Sequence, residues 1–151
     1  MVAELMLQEL GPQSFHLLLP ARLNGGEAVL LVVDTGASRS VVDCQLVAGA
    51  AVRPAAEAIE AYGIGMASVQ VQMAEGVELS LCDGQWTRRV DLAVADLADL
   101  RGLYRDACGL DIAGLLGCDF LLNHCIGINI SRRSLTLRRS TGRRAKIIGK
   151  K

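Results

Sequence analysis

The sequence predicts an all-β protein with one or two short helices, folded as one domain. Three observations predict it. Hydrophobic residues make up 51% of the 151 residues but aromatic residues only 3%, so Val, Leu, Ala and Gly must do the packing. They occur in short runs, a composition that favours strands and turns over long helices. Asn24-Gly25-Gly26 and Asp83-Gly84 punctuate those runs as hairpin turns. Val69, Val71 and Met73 alternate with Gln70 and Gln72, the two-residue period of a half-exposed strand.

The elements follow in chain order. Phe15 to Leu23 reads as a strand, with Pro20 requiring an edge or a bulge. Asn24-Gly25-Gly26 turns it into a return strand, Glu27 to Val33, which runs straight into Asp34. Gly36 closes that strand, and Ser40-Val41-Val42 begins another. Asp43 suits the N-cap of a short helix from Cys44 to Ala51, which Pro54 ends. Ile59 to Met66 contains Tyr62-Gly63-Ile64-Gly65 and reads as a flexible piece. Ala67 to Met73 and Val77 to Leu81 are strands with Gly76 turning between them. Asp83-Gly84 then leads into Trp86 to Val94, completing a meander. Asp96 to Ala107 is polar and reads as a loop with a helical turn. Ile112 to Gly117 is a short apolar strand, Asp119 to His124 a short helix, and Cys125 to Ile130 with Ser134 to Leu137 a last hairpin. The domain takes residues 1–139, and residues 140–151 form a basic tail expected to be disordered.

Composition also bounds the function. Sixteen Lys and Arg balance sixteen Asp and Glu, so no overall charge draws the chain to nucleic acid. The distribution is uneven: no acidic residue follows Asp119, whereas Arg132, Arg133, Arg138, Arg139 and the basic tail do. That end is either a solvated strand and tail or a docking site for an acidic partner, nucleic acid or anionic lipid. Cys44, Cys82, Cys108, Cys118 and Cys125 are odd in number and contain no C-x-x-C pair. They read as free, buried thiols in a reducing compartment, which points to the cytoplasm. No run approaches the roughly 20 apolar residues of a membrane span, and Met1 to Leu10 lacks a signal-peptide pattern. His16 and His124 stand alone, without G-x-S-x-G or H-E-x-x-H, and read as structural. Gly63-x-Gly65 lacks the third glycine of a dinucleotide loop. No metal or cofactor is expected.

One stretch carries chemistry. Val29 to Val33 delivers Asp34, Thr35 and Gly36 to the edge of a buried core, followed by Ala37 and Ser38. A carboxylate there is costly unless hydrogen-bonded or protonated, so Asp34 is either a structural turn or a catalytic acid.

Asp34-Thr35-Gly36-Ala37-Ser38 resembles the active-site turn of aspartic proteases, and Ala113-Gly114-Leu115-Leu116-Gly117-Cys118-Asp119 resembles the apolar-apolar-Gly segment of the same family. The order of elements from Phe15 to Leu137 is similar to that of the retropepsin-like members. The resemblance implies a retropepsin-like barrel and an aspartic endopeptidase. One Asp-Thr-Gly in so short a chain implies a C2 homodimer, each copy giving one Asp34. Two carboxylates about 3 Å apart share one proton. The ionised one activates a water and the protonated one polarises the peptide carbonyl of a protein or peptide substrate. By resemblance, Thr35 bonds across the dimer axis and Gly36 aims its N–H at the carboxylate. Ala37 and Ser38 border the substrate. Tyr62, Gly63, Ile64, Gly65 and Met66 form a flap, for which an ordinary glycine-rich turn is the other reading, and Leu115 lines a subsite. Retroviral members carry Arg where this chain has Cys118, and an acidic residue where it has Ser38. An Arg39–Asp119 pair could stand in with the signs exchanged. The same fold also serves as a catalytically silent dimerisation or peptide-binding module.

Overall fold

The computed structural model describes residues 1–54 and 71–139. The segment expected to hold the flap, Tyr62 to Met66, and the basic residues 140–151 lie outside the described residues. Eleven strands and two α-helices occur among those described: β1 (Val2–Glu4), β2 (Met6–Gly11), β3 (Ser14–Leu23), β4 (Val29–Val33), β5 (Val41–Asp43), β6 (Ala51–Pro54), β7 (Gln72–Leu81), β8 (Trp86–Ala95), α1 (Ala98–Cys108), β9 (Ile112–Leu116), α2 (Cys118–His124), β10 (Cys125–Asn129) and β11 (Ser134–Leu137).

The main sheet runs β2-β3-β4-β9-β5-β8-β7-β6, and β3 also pairs with β7. That extra pairing closes six strands, β3-β4-β9-β5-β8-β7, into a barrel with β2 and β6 on its flanks. Closure rests on two residue pairs, Arg22 with Ser80 and Leu23 with Leu79. Pro20 pairs with Leu30 on one side. On the other it falls between the last β2 pair, Met6 with Leu18, and the first β7 pair. The residue that cannot donate to a ladder thus occupies the gap, as a proline in a strand must. A second sheet, β1-β11-β10, packs below.

Leu19, Leu31, Val42, Leu79, Leu81, Leu116, Leu135 and Leu137 are almost fully buried and belong to one continuous core. They come from both sheets, so this core joins the barrel to the small sheet. Trp86 is a packing residue, as the sequence suggests: it is 3% exposed, and its indole N–H donates to the Arg138 carbonyl at 3.0 Å.

Several elements differ from expectation. The helix expected from Cys44 to Ala51 is a single 3-10 turn, Cys44–Val47. Asp43 does cap it, accepting from the Gln45 N–H at 3.2 Å. The chain then leaves as β6, paired to β7. Gly76 does not turn the chain. It sits at φ +62° in a bulge where the β7–β8 register shifts between Ala74 and Val77, so β7 is one strand. Asp96 to Ala107 is mostly helix, not loop. β1 and β2 appear where no strand is expected, on outer edges with largely exposed residues. Among the cysteines only Cys125 is buried, and burial pushes its thiol up to about 12; Cys44 is exposed and the others are half-buried.

Helix α1 is held by charge as much as by packing. Arg101 donates to Asp43 at 2.9 Å and to Asp111 at 2.8 Å, which ties α1 to the end of β5 and the approach to β9. The Asp43 side chain is 2% exposed. Removing its cation leaves a buried carboxylate short of a partner, a change that costs about 3–5 kcal/mol. Arg101→Met is expected to lose stability on that scale in denaturant titrations, and adding Asp43→Asn is expected to recover part of it.

The His124 ring packs against Trp86 and Phe120, with centroids 5.7 and 5.0 Å away. Burial, and then the nearby Arg88 charge, lower its pKa, against a smaller opposing pull from Asp119. The unfolded chain therefore binds this proton more readily than the native state. The stabilisation is complete above the unfolded value of about 6.5 and is lost as pH falls through the lower native value. Melting temperature is expected to fall over that window, and His124→Gln is expected to flatten the slope.

Candidate active site

The site is built where β4 and β9 run parallel, Val32 beside Leu115 and Val33 beside Leu116. Both are short apolar strands whose ends are met by Gly-containing turns. The Asp34 N–H donates to the Leu116 carbonyl at 3.0 Å, which fixes the residue at the strand end. Asp34 is half-buried as a residue, and its Oδ1 accepts the Gly36 N–H at 2.9 Å. The turn itself closes with Ala37 N–H to the Asp34 carbonyl, 3.3 Å.

Four further bonds lace the turn to the segment after β9. The Cys118 N–H donates to the Ala37 carbonyl at 2.8 Å, and the Asp119 N–H to the Ser38 carbonyl at 3.3 Å. The Cys118 thiol donates to the Thr35 carbonyl at 3.2 Å. The Gly117 N–H donates to the Ser40 hydroxyl oxygen at 2.9 Å. A Cβ at Gly117 would meet the Ala37 oxygen at 2.7 Å and the Arg39 carbonyl carbon at 2.8 Å, backbone atoms that cannot move aside alone. The glycine of Leu115-Leu116-Gly117 is thus required by the turn passing over it. Gly114 is as constrained, since its Cβ would lie inside the Val41 carbonyl and 2.8 Å from the Val42 Cα.

The structure therefore brings together Asp34, Thr35, Gly36, Ala37 and Ser38 with the Leu115-Leu116-Gly117 segment. Thr35 and Gly36 are exposed, Ala37 is buried, Ser38 is exposed, and Leu115 is half-buried against the Leu18, Val32 and Ile112 cluster. Tyr62, Gly63, Ile64, Gly65 and Met66 lie outside the described residues. The expected Arg39–Asp119 pair does not form. Asp119 Oδ1 instead accepts from the Ser40 N–H at 2.9 Å, the Ser40 hydroxyl at 2.7 Å and its own neighbour Phe120 N–H at 2.8 Å. The backbone after the turn supplies donors at shorter range than a flexible Arg39 could.

Ser40 is the residue that sequence reasoning missed. It is 0% exposed, and it links Asp119 to Gly117 through one hydroxyl. A lone serine at the start of a strand gives no signal of that role. Tyr104 of α1 was also hidden. It is 3% exposed, and its hydroxyl pairs with His16 Nδ1 at 3.0 Å. Burial, with Cys108 and Asp34 adding negative potential, pushes its phenol up, so it stays neutral. Among the described residues no group of His, Cys, Asp or Glu is placed to hold a metal ion.

A closed barrel with a half-buried aspartate on a glycine turn, locked by an apolar-Gly segment, is an acid-protease architecture. A family model for aspartyl proteases matches residues 19–120. The match covers both the Asp34 turn and the Leu115-Leu116-Gly117 segment, and the chain belongs to that family. Among solved structures, the chain is similar to EIAV protease bound to an inhibitor, with 18% identity and a TM-score of 0.47 over 69% of this chain and 83% of that one. It is also similar to a retropepsin-like aspartic protease from Rickettsia conorii, with 16% identity and a TM-score of 0.47 over 91% of each chain. No curated protein matches the sequence.

Replacing Ser40 by Ala strips the Gly117 N–H of its acceptor and Asp119 of one donor. An unsatisfied buried group costs about 1–3 kcal/mol. Ser40→Ala is expected to lower stability by that amount in thermal melts, while Ser38→Ala, at an exposed side chain, is expected to change it by less than about 0.5 kcal/mol.

Proposed function

We propose that the protein is an aspartic endopeptidase that acts as a homodimer, with Asp34 of each copy sharing one catalytic site. The observation that carries this reading is the Asp34 turn. Asp34 is half-buried as a residue, its Oδ1 accepts one backbone N–H at 2.9 Å, and its Oδ2 has no protein partner among the described residues. Asp119, by contrast, takes three donors on one oxygen, two of them from Ser40, and is committed to holding the turn.

Two such carboxylates facing each other hold a single proton between them. The ionised Asp34 takes a proton from a water held between the two. The water oxygen attacks the peptide carbonyl carbon as the protonated Asp34 of the second copy donates to the carbonyl oxygen. The tetrahedral species collapses with a proton passed to the amine nitrogen and the C–N bond broken. No acyl-enzyme forms. The Gly36 N–H holds the carboxylate through one hydrogen bond, and Thr35, exposed beside it, is available to bond across the two-fold axis.

The decisive experiment is a peptide-library digest with wild type beside Asp34→Asn. Asp34→Asn is expected to cut hydrolysis by at least about a hundredfold with an unchanged melting profile. Specific activity is expected to fall on dilution as dimers dissociate, and pepstatin-type inhibitors are expected to block cleavage. A stable dimer without activity would favour the silent peptide-binding module instead.

A further inference from the structure

The arginines that end the described chain meet others, distant in sequence, on one face. A cavity of ≈ 480 Å³ opens there between the chain after the Asp34 turn, β6, β8 and α2. Arg39, Arg53 and Arg89 line it, with Asn123 and His124 beside them. Two carboxylates line it as well, and both are engaged. Asp91 Oδ1 accepts the Gly76 N–H at 2.9 Å, and Asp119 Oδ1 holds its three donors from Ser40 and Phe120. Arg53 pairs with Glu75, an exposed ion pair of the kind that contributes little and exchanges easily. Arg89 donates only to the Gly76 carbonyl, at 3.3 Å, and keeps its full charge. Arg39 is exposed and belongs to none of the ion pairs among the described residues.

The basic C-terminal run leaves from the same place. The Arg138 N–H donates to the carbonyl of His124 at 2.8 Å, and the Arg138 carbonyl accepts the Trp86 indole N–H. The Arg139 carbonyl accepts from Arg88, whose guanidinium lies over the Trp86 ring at 5.0 Å. These bonds fix the start of the run beside the cavity. Beyond it, residues 140–151 add Arg143, Arg144, Lys146, Lys150 and Lys151 and no Asp or Glu. Such a concentration of one sign on a neutral chain draws an anionic partner. Three features select a protein segment over a nucleic acid or a membrane. Asp91 and Glu75 interrupt the face, which repels an unbroken phosphate chain but fits carboxylates spaced along a peptide. Trp86 and Phe120 are buried, so bases find no open ring to stack on. Met73, Leu92 and Phe120 in the cavity wall are buried too, so no apolar side chain there is free to enter a bilayer. The guanidinium fork also matches a carboxylate with two parallel bonds.

We propose that this arginine face is a docking site for an acidic segment of a protein substrate, with Arg39 and Arg89 carrying the contact. Its role in substrate capture rests on the reading of Asp34 as a peptide-hydrolysing carboxylate, whereas the binding itself does not. Arg39 follows Asp34 by five residues, a span of at most about 18 Å. An extended substrate covers that distance in about five residues, so an acidic stretch near the cleaved bond reaches the cavity. The face then raises the local concentration of substrates that carry such a stretch, without touching the reacting atoms.

The test uses the full chain carrying Asp34→Asn, which needs no turnover. Fluorescence anisotropy measures its binding to an Asp/Glu-rich peptide, to the Asn/Gln isostere of that peptide, to a single-stranded RNA of similar charge, and to phosphatidylcholine vesicles containing phosphatidylserine. The acidic peptide is expected to bind about tenfold tighter than its isostere, and the difference is expected to shrink as salt is added. Arg39→Gln with Arg89→Gln is expected to weaken the acidic peptide about tenfold with an unchanged melting profile. Arg105→Gln, an equal change per charge on exposed α1, is expected to leave it unchanged. Equal binding of peptide and isostere overturns the proposal, as does a loss in Arg105→Gln that matches the paired variant. Tighter binding of the RNA or the vesicles than of the acidic peptide, lost in the paired variant, overturns the choice of partner. In the chain with Asp34 intact, an acidic stretch is expected to lower KM and leave kcat unchanged. Absence of any cleavage there overturns the protease reading instead, and the binding series then decides the docking site by itself.

Discussion

The passage of the Ala37–Arg39 backbone over Gly117 is the constraint on which the rest of this structure depends. An aspartate at a strand end has no ladder to hold its turn. Here the neighbouring segment supplies one: Leu116, Gly117, Cys118 and Asp119 each bond to the chain between Asp34 and Ser40. The contact is so close that no side chain fits at Gly117. Rigidity at Asp34 therefore comes from hydrogen bonds between the two backbones, supplemented by the Ser40 and Asp119 side chains, more than from side-chain packing, which repacks more easily.

The barrel turns that local lock into a site. β4 and β9 run side by side only because the chain between them travels around the barrel through β5, β7 and β8 before returning. Parallel strands need such a crossover. The sheet closes on itself through two residue pairs between β3 and β7, and Pro20 occupies the stretch where β3 lacks a second neighbour. Closure leaves little sheet edge around the core. It also places helix α1, leaving the barrel at the end of β8, over the same end as Asp34. The ion triad of Arg101, Asp43 and Asp111 then holds that helix in place with strong, directional bonds.

Much of the fold is legible residue by residue. The Asn24-Gly25-Gly26 turn, the β7–β8 hairpin at Asp83-Gly84 and the β10–β11 hairpin follow from turn chemistry and period-two patterning. Helix α1 is not legible in that way. Ala98–Cys108 carries Leu100, Leu103, Tyr104 and Ala107 along one face and Asp99, Arg101, Arg105 and Asp106 off it, but the apolar stripe is short and only Tyr104 is fully buried. The i, i+3, i+4, i+7 spacing of Leu100, Leu103, Tyr104 and Ala107 is a helical period that the polar residues around it obscure, and the Arg101 contacts to Asp43 and Asp111 that add to it lie far along the chain. β1 and β2 were missed for the related reason that edge strands bury few side chains. Gly76 carries the composition of a turn, yet the partner strand β8 continues past it, and so the extra residue becomes a bulge.

The site divides along the same line. The sequence by itself marked Asp34, Thr35 and Gly36 as one turn, because an apolar run ending in special residues is a local signal, and Leu115-Leu116-Gly117 is identified as its counterpart only through the resemblance to aspartic proteases. Which atoms meet was decided only by tertiary structure. The Asp119 carboxylate went to Ser40 and not to Arg39, since a buried hydroxyl and two backbone N–H groups were already in place. Tyr104 met His16 across most of the chain, and with Leu103 it built a cleft from a segment that reads as loop. Hydrogen-bond partners and cavities depend on which segments the fold brings within a few ångströms, and spacing along the chain does not encode that.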